Sequence, residues 1–397
     1  MKKTRQLVTI GLLATGLVAL YGCSSDAMQG EEDSGNIQPV ELKIRTSVEM
    51  ARATSGTVGV VTGEAFKAND AIAVYAHSSH YNTTSNNNAV YTAASDGSSL
   101  SWSAGESHIY LSTEEATIYA VYPSTLTVNA SSGVSASTTT SVSLFAGDSS
   151  DNKNASTITL LQNNPEQSIN AASGETDYMY ATASADASNN AGTNDNTSNN
   201  AKATAENPNV TLTMHHALAL VTFRFYKDNT FAGAGKLTKI ALQKAGDDKA
   251  FKTSGATMNI SSGAIDASSG SDGTLIRFTN SYNKNDGYEI ATLPSTGSSE
   301  EEHKAAIPGF SMLVYPNTSL ADNTVKAVFT IDEVEYPINI PAASSSEGSH
   351  EWAAGYNTTY TVKMKGKELG ITSVTVTDWQ TATVGDELVP IDPTKNN

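Results

Sequence analysis

At 397 residues the chain has room for two domains or for one large one. Acidic residues outnumber basic ones 41 to 24, a net charge of −17, which argues against nucleic acid as a partner, because phosphate contacts need clustered Lys and Arg. The same charge suits a solvated surface that repels its neighbours until specific contacts form, and a lone cysteine rules out a disulfide framework.

Lys2, Lys3 and Arg5 precede an apolar run from Leu7 to Leu20 that ends in small residues, the layout of a secretory signal peptide over residues 1–22. The run is too short for a spanning helix. Leu20-Tyr21-Gly22-Cys23 then resembles the bacterial lipobox, with Tyr21 bulkier than is usual there, and the resemblance implies that Cys23 carries the lipid. Each buried acyl CH₂ contributes about 0.8 kcal/mol, so two or three acyl chains hold a protein on a bilayer where one would not. Residues 23–39 are polar and acidic (Asp26, Glu31, Glu32, Asp33), too poor in apolar surface to order themselves, and are expected to form a tether. The segment resembles the acidic start of Bacteroidetes lipoproteins, which implies the outer face of the outer membrane.

From Val40 onward, short alternating apolar runs broken by turn formers predict an all-β protein. Leu42, Ile44, Val48 and Met50 share one face of a first strand, with Glu41, Lys43, Arg45, Ser47 and Glu49 on the other. Further strands are expected at Ile72, Val74 and Ala76; at Ile118, Ala120 and Tyr122; and at Ala217, Ala219, Val221, Phe223 and Phe225. Two more run through Val325, Ala327, Phe329 and Ile331, and through Tyr356, Thr358, Tyr360, Val362 and Met364. In each, period-two alternation puts one face in a core and the other in water. Asp286-Gly287 reads as a hairpin turn with positive φ. Beyond the leader nothing has sustained 3.6-residue periodicity, so helices should be few and short. Residues 183–209 are almost wholly Asn, Ala, Ser, Thr and Gly, predicting a connection between a β-sandwich at 40–182 and another at 210–397. The polar stretch from Ala130 to Ser141 reads as a long hairpin loop within the first.

Several phrases resemble the fimbrillin (Mfa-like) family of Bacteroidetes type V pilus proteins: Met50-Ala51-Arg52-Ala53-Thr54, Asn69 through Tyr75, Tyr119 through Pro123, Asp177-Tyr178-Met179-Tyr180 and Met214 through Ala219. Trp352-Ala353-Ala354-Gly355, Tyr360-Thr361-Val362 and Ile371 through Trp379 extend the likeness. Each phrase is weak alone; their order and spacing carry the resemblance. It implies two transthyretin-like β-sandwich domains in tandem and a pilus subunit, tip or anchor working in cell adhesion. In the family, a trypsin-like protease cuts a lipidated precursor after an arginine, removing the first strand so that an extended segment of another subunit fills the groove by strand addition. Carried onto this chain, the removable strand is that of Leu42, Ile44, Val48 and Met50, and the cut follows Arg52, which releases all of it, or alternatively Arg45, which splits it. The donor candidate is the tail, with Leu388, Val389 and Ile391, interrupted by Pro390. Expected partners are other pilus subunits, the processing protease, the outer membrane through lipid, and a host or bacterial surface receptor.

No catalytic constellation, cofactor or metal is expected. Gly233-Ala234-Gly235-Lys236 lacks the third glycine of a dinucleotide fingerprint and the Ser or Thr of a phosphate loop, and so reads as a turn. His350-Glu351 lacks a second histidine at zinc spacing. His215 and His216 are neighbours in a strand, pointing to opposite faces, and cannot easily share one metal. There is no nucleophile elbow. The competing function is a surface glycan-binding lipoprotein without polymerisation, for which Trp102, Trp352 and Trp379 would be sugar platforms, although core packing is the commoner use of such residues.

Overall fold

A computed structural model describes residues 39–48, 66, 68–81, 87–94, 102–128, 133–144, 176–181, 202–244, 251–278, 287–293, 307, 309–317, 324–341, 352–366 and 368–378. Those residues form twenty-four strands and no helix. The first nine are β1 (Val40–Glu41), β2 (Lys43–Val48), β3 (Ala71–His77), β4 (Asn88–Ala93), β5 (Trp102–Ala104), β6 (Tyr110–Leu111), β7 (Ala116–Tyr122), β8 (Thr139–Val142) and β9 (Met179–Ala181). Next come β10 (Lys202–Ala203), β11 (Asn209–His216), β12 (Ala219–Lys227), β13 (Lys236–Lys244), β14 (Phe251–Ser254), β15 (Ala256–Asn259), β16 (Ile265–Asp266), β17 (Ser271–Gly273) and β18 (Leu275–Phe278). The last six are β19 (Tyr288–Glu289), β20 (Gly309–Val314), β21 (Val325–Ile331), β22 (Val334–Ile340), β23 (Tyr356–Lys365) and β24 (Glu368–Asp378). Gly287 has a positive φ of 86°, the strand after it pairs β13, and Asp286 with the rest of the expected hairpin lies outside the described residues. Among the described residues no helix is long and apolar enough to cross a membrane.

An eight-stranded sheet runs β2-β11-β9-β7-β3-β4-β5, with β10 also on β7. Its β2–β11 pair is parallel and the rest are antiparallel. The even-numbered residues of β3 and β7 (Ile72, Val74, Ala76, Ile118, Ala120, Tyr122) join Leu42, Ile44, Leu212 and Met214 in one core. The opposite face is also covered: Ala73, Tyr119 and Val121 belong to a second apolar cluster with Val142, Met258 and the C-terminal sheets. The expected water-facing side of β7 is therefore buried, because a central strand between two packed layers has no wet face.

The second core lies between the four-stranded sheet β20-β12-β23-β24 and the five-stranded sheet β18-β13-β21-β22, in which β19 also pairs β13. Aromatic rings interlock across it. Phe329 of β21 meets Phe223 and Phe225 of β12 edge-on, with ring centres 5.3 and 4.9 Å apart, an arrangement that adds about 0.5–1.5 kcal/mol per pair beyond area burial.

Two boundaries differ from the sequence expectation. The division at Val210 does not fall there, because β10 and β11, drawn from the expected connection and the start of the second half, complete the first sheet. The polar stretch 130–141 is not simply a loop: its end is β8, which pairs β15 of the C-terminal half and, with β16, makes a three-stranded clasp. Threonine has high strand propensity despite its polarity, and Thr140 and Val142 alternate inward, 2% and 3% exposed. The described residues consequently form one compact unit.

Candidate assembly interface

The leading strand occupies the end of the eight-stranded sheet. β2 pairs β11 in parallel, Ile44 beside Val210 and Thr46 beside Leu212. Ahead of it, β1 pairs β6, Val40 with Leu111. Leu42 N–H donates to Ile109 C=O and Lys43 N–H to Pro208 C=O, both at 2.9 Å. Leu42 and Ile44 are buried, as the alternation predicts. Burial of two such side chains contributes about 1.5–3 kcal/mol each, so a groove that lost them would need another apolar cover.

Three side chains add to the ladder. Tyr91 Oη donates to Leu42 C=O at 3.0 Å. Trp102 Nε1 donates to Thr46 Oγ1 at 2.8 Å, holding β5 against β2 across the opening of the sheet. His108 Nδ1 lies 2.6 Å from Glu41 Oε1 at a half-exposed site, where such a contact contributes under about 1 kcal/mol. Burial, and then the charge of Glu41, push the Tyr91 phenol above its ordinary range and keep it a donor.

The remaining site residues divide plainly. Arg45 lies within β2, its backbone beside Thr211, and Val48 ends β2 beside Met214. Cys23, Met50, Arg52, Leu388, Val389, Ile391, His350 and Trp379 lie outside the described residues. Trp102 and Trp352 are 9% and 1% exposed and pack in the two cores, which removes both as open sugar platforms.

His215 and His216 point to opposite faces as expected. His216 is buried with Nδ1 2.8 Å from Asp177 Oδ2, while His215 packs against Tyr180 with ring centres 5.6 Å apart. The Gly233–Lys236 turn is filled by the chain itself, as Gly235 and Lys236 N–H groups both donate to the Asp332 carboxylate at 2.9 Å. Among the described residues no cluster of His, Cys, Asp and Glu could hold a metal ion. Tyr91, Thr46 and Trp102 were not singled out as a set by sequence reasoning. Thr46 shares the even-numbered face of Leu42 and Ile44, the one signal that points it inward, whereas Tyr91 fell in no expected strand.

The described residues thus form stacked all-β sheets, with β2 laid along a sheet edge and Trp102, Trp352 and His216 spent on packing. A sequence profile of the fimbrillin-like family matches residues 52–379, and the chain belongs to that family. Membership supports a pilus-type or adhesive role at the cell surface, structural rather than catalytic, with other pilus subunits as partners.

Solved structures similar to this chain include a candidate cell adhesion protein from Bacteroides uniformis, 18% identical, covering 86% of this chain and 99% of that one at a TM-score of 0.47. A candidate cell adhesion protein from Bacteroides ovatus is 15% identical, with coverages of 87% and 100% and a TM-score of 0.48. A fimbrial protein from Bacteroides vulgatus is 14% identical, with coverages of 79% and 94% and a TM-score of 0.41. None of the curated proteins compared matches the chain.

Proposed function

We propose that this chain is a lipid-anchored pilus subunit, tip or anchor on the outer membrane, whose leading segment 40–48 is a temporary occupant of the groove beside β11. A trypsin-like cut releases that segment, and an extended stretch of another subunit replaces it. The donor is the tail around Leu388, Val389 and Ile391. The observation that carries the reading is the placement of β2: it ends the strand order, pairs β11 in parallel, and supplies Leu42 and Ile44 to the core.

Arg52 is favoured over Arg45 as the cut. Proteases act on exposed, unpaired chain, and Arg45 lies inside the β2–β11 ladder, whereas a cut after Arg52 frees the whole strand at once. Cys23 carries the lipid until then.

The test is the chemistry of the N-terminus on cells. Mass spectrometry of assembled surface material should find chains beginning at Ala53. Cys23→Ala should leave the membrane pellet, and deletion of residues 384–397 should give folded monomers that do not polymerise. Assembled chains that retain an acylated Cys23 and a protected 40–48 segment would falsify the processing step.

A further inference from the structure

The eight-stranded sheet curls until its outermost strands, β2 and β5, face one another, and the Trp102 indole bridges them through Thr46. Two different kinds of hold therefore act on the leading strand. Tyr91 grips the main chain at Leu42 C=O, which any extended segment would offer. Trp102 grips a side chain and is satisfied only by an acceptor at position 46. The ladder adds a third demand: Lys43 N–H donates toward β11, to Pro208 C=O, while Leu42 N–H donates the other way, to Ile109 C=O. By alternation a proline at position 43, 45 or 47 removes a donor to β11, whereas one at position 44 does not.

Resting on the strand-replacement reading above, we propose that Trp102 selects the occupant of this groove. In the assembled form that occupant is the tail of a second copy, with Leu388, Pro390 and Asp392 in the places of Leu42, Ile44 and Thr46. The tail 379–397 follows β24 directly. In this register Asp392 presents a carboxylate to the indole N–H, a charge-assisted bond. Val389 supplies the N–H that Lys43 now gives, Pro390 falls at position 44, where no β11 bond is needed, and Pro393 falls at position 47, near the end of the ladder, where one donor to β11 is lost. The neighbouring register, with Val389 and Ile391 inward, also loses one ladder donor, at Pro390 in position 43, and differs by putting Pro393, which has no side-chain acceptor, under Trp102. The polar demand of one indole thereby decides which face of the tail turns inward.

The experiment uses the full chain. Before any trimming, Thr46→Val should raise amide hydrogen exchange across residues 42–48 by about tenfold, while Thr46→Ser stays near wild type. Trp102→Phe should erase the difference between those two variants, a result that general loosening of the fold would not produce. Equal exchange in Thr46→Val and Thr46→Ser overturns the selective role of Trp102. After trypsin trimming, Val389→Asp should still polymerise, whereas Leu388→Asp and Asp392→Leu should slow polymer growth by about tenfold or more. Polymerisation blocked by Val389→Asp and spared by Asp392→Leu overturns the register. Trimmed wild-type chains that stay monomeric, with Thr46→Val still loosening the leading strand, sink the strand-replacement reading and the tail occupant together while supporting the Trp102 hold.

Discussion

Asp332 and Glu333 join β21 to β22 with φ of 49° and 64°, the left-handed pair of a two-residue hairpin turn that favours glycine at its second position. Glu333 stores about 1 kcal/mol of left-handed strain, and glycine there would add a smaller entropic cost. Glu333→Gly should therefore stabilise the protein by about 0.5 kcal/mol, seen as a higher urea midpoint at unchanged slope. Its neighbour should behave oppositely. Asp332 accepts the N–H groups of Gly235 and Lys236, and Asp332→Ala should cost about 1–3 kcal/mol by leaving both donors without their acceptor. A pair of variants that shift the midpoint in the same direction would refute this account. Sequence reading placed a turn at Gly233–Lys236 from its glycines, but nothing local could reveal that a carboxylate about a hundred positions later completes it.

At the scale of elements the clasp is the informative case. β8 pairs β15 from Thr139 with Asn259 to Val142 with Ala256, and two tyrosines secure its end. Tyr178 Oη donates to Ser143 C=O at 3.0 Å and accepts Ser143 N–H at 3.2 Å; Tyr315 Oη donates to Val142 C=O at 3.2 Å. Burial, then the neighbouring Tyr178, push the Tyr315 phenol upward and keep it a donor. The double variant Tyr178→Phe, Tyr315→Phe should lose about 1–3 kcal/mol. Amide exchange should rise in residues 138–144 and 253–260 before it rises in β12 and β23. A uniform rise across all four regions would show that the clasp is not a separate hold. The strands themselves were legible where apolar alternation was strong, as in β3, β12, β21 and β23. β8 was not, since its Thr and Ser residues resemble loop composition and its burial depends on Ala256 and Met258 arriving from the other half.

For the whole molecule, burial of phenols sets an alkaline limit. Burial raises the Tyr75, Tyr91, Tyr119, Tyr122 and Tyr315 pKa values, and Tyr122 is pushed further by the charges of Asp70 and Asp177. A phenol with a raised native pKa contributes stability that is fully present below its unfolded value, about 10. That contribution is lost as pH climbs past 10, because the unfolded chain sheds protons that the folded chain keeps. Tyrosinate absorbance should accordingly show a cooperative step above pH 10 that coincides with loss of near-UV circular dichroism, as the buried phenols ionise only on unfolding. Smooth titration of every tyrosine near pH 10 with the fold intact would contradict the packing described.

Alternation is a property of neighbours along the chain, so the all-β class, the inward faces of the main strands and the opposite orientations of His215 and His216 were determined by the sequence alone. Strand partnership is not local. The parallel seat of β2 beside β11, the crossing of β8 to β15 and the meeting of Trp102 with Thr46 were decided only by tertiary structure, because many extended segments offer the same backbone donors and acceptors, and long-range packing chooses among them.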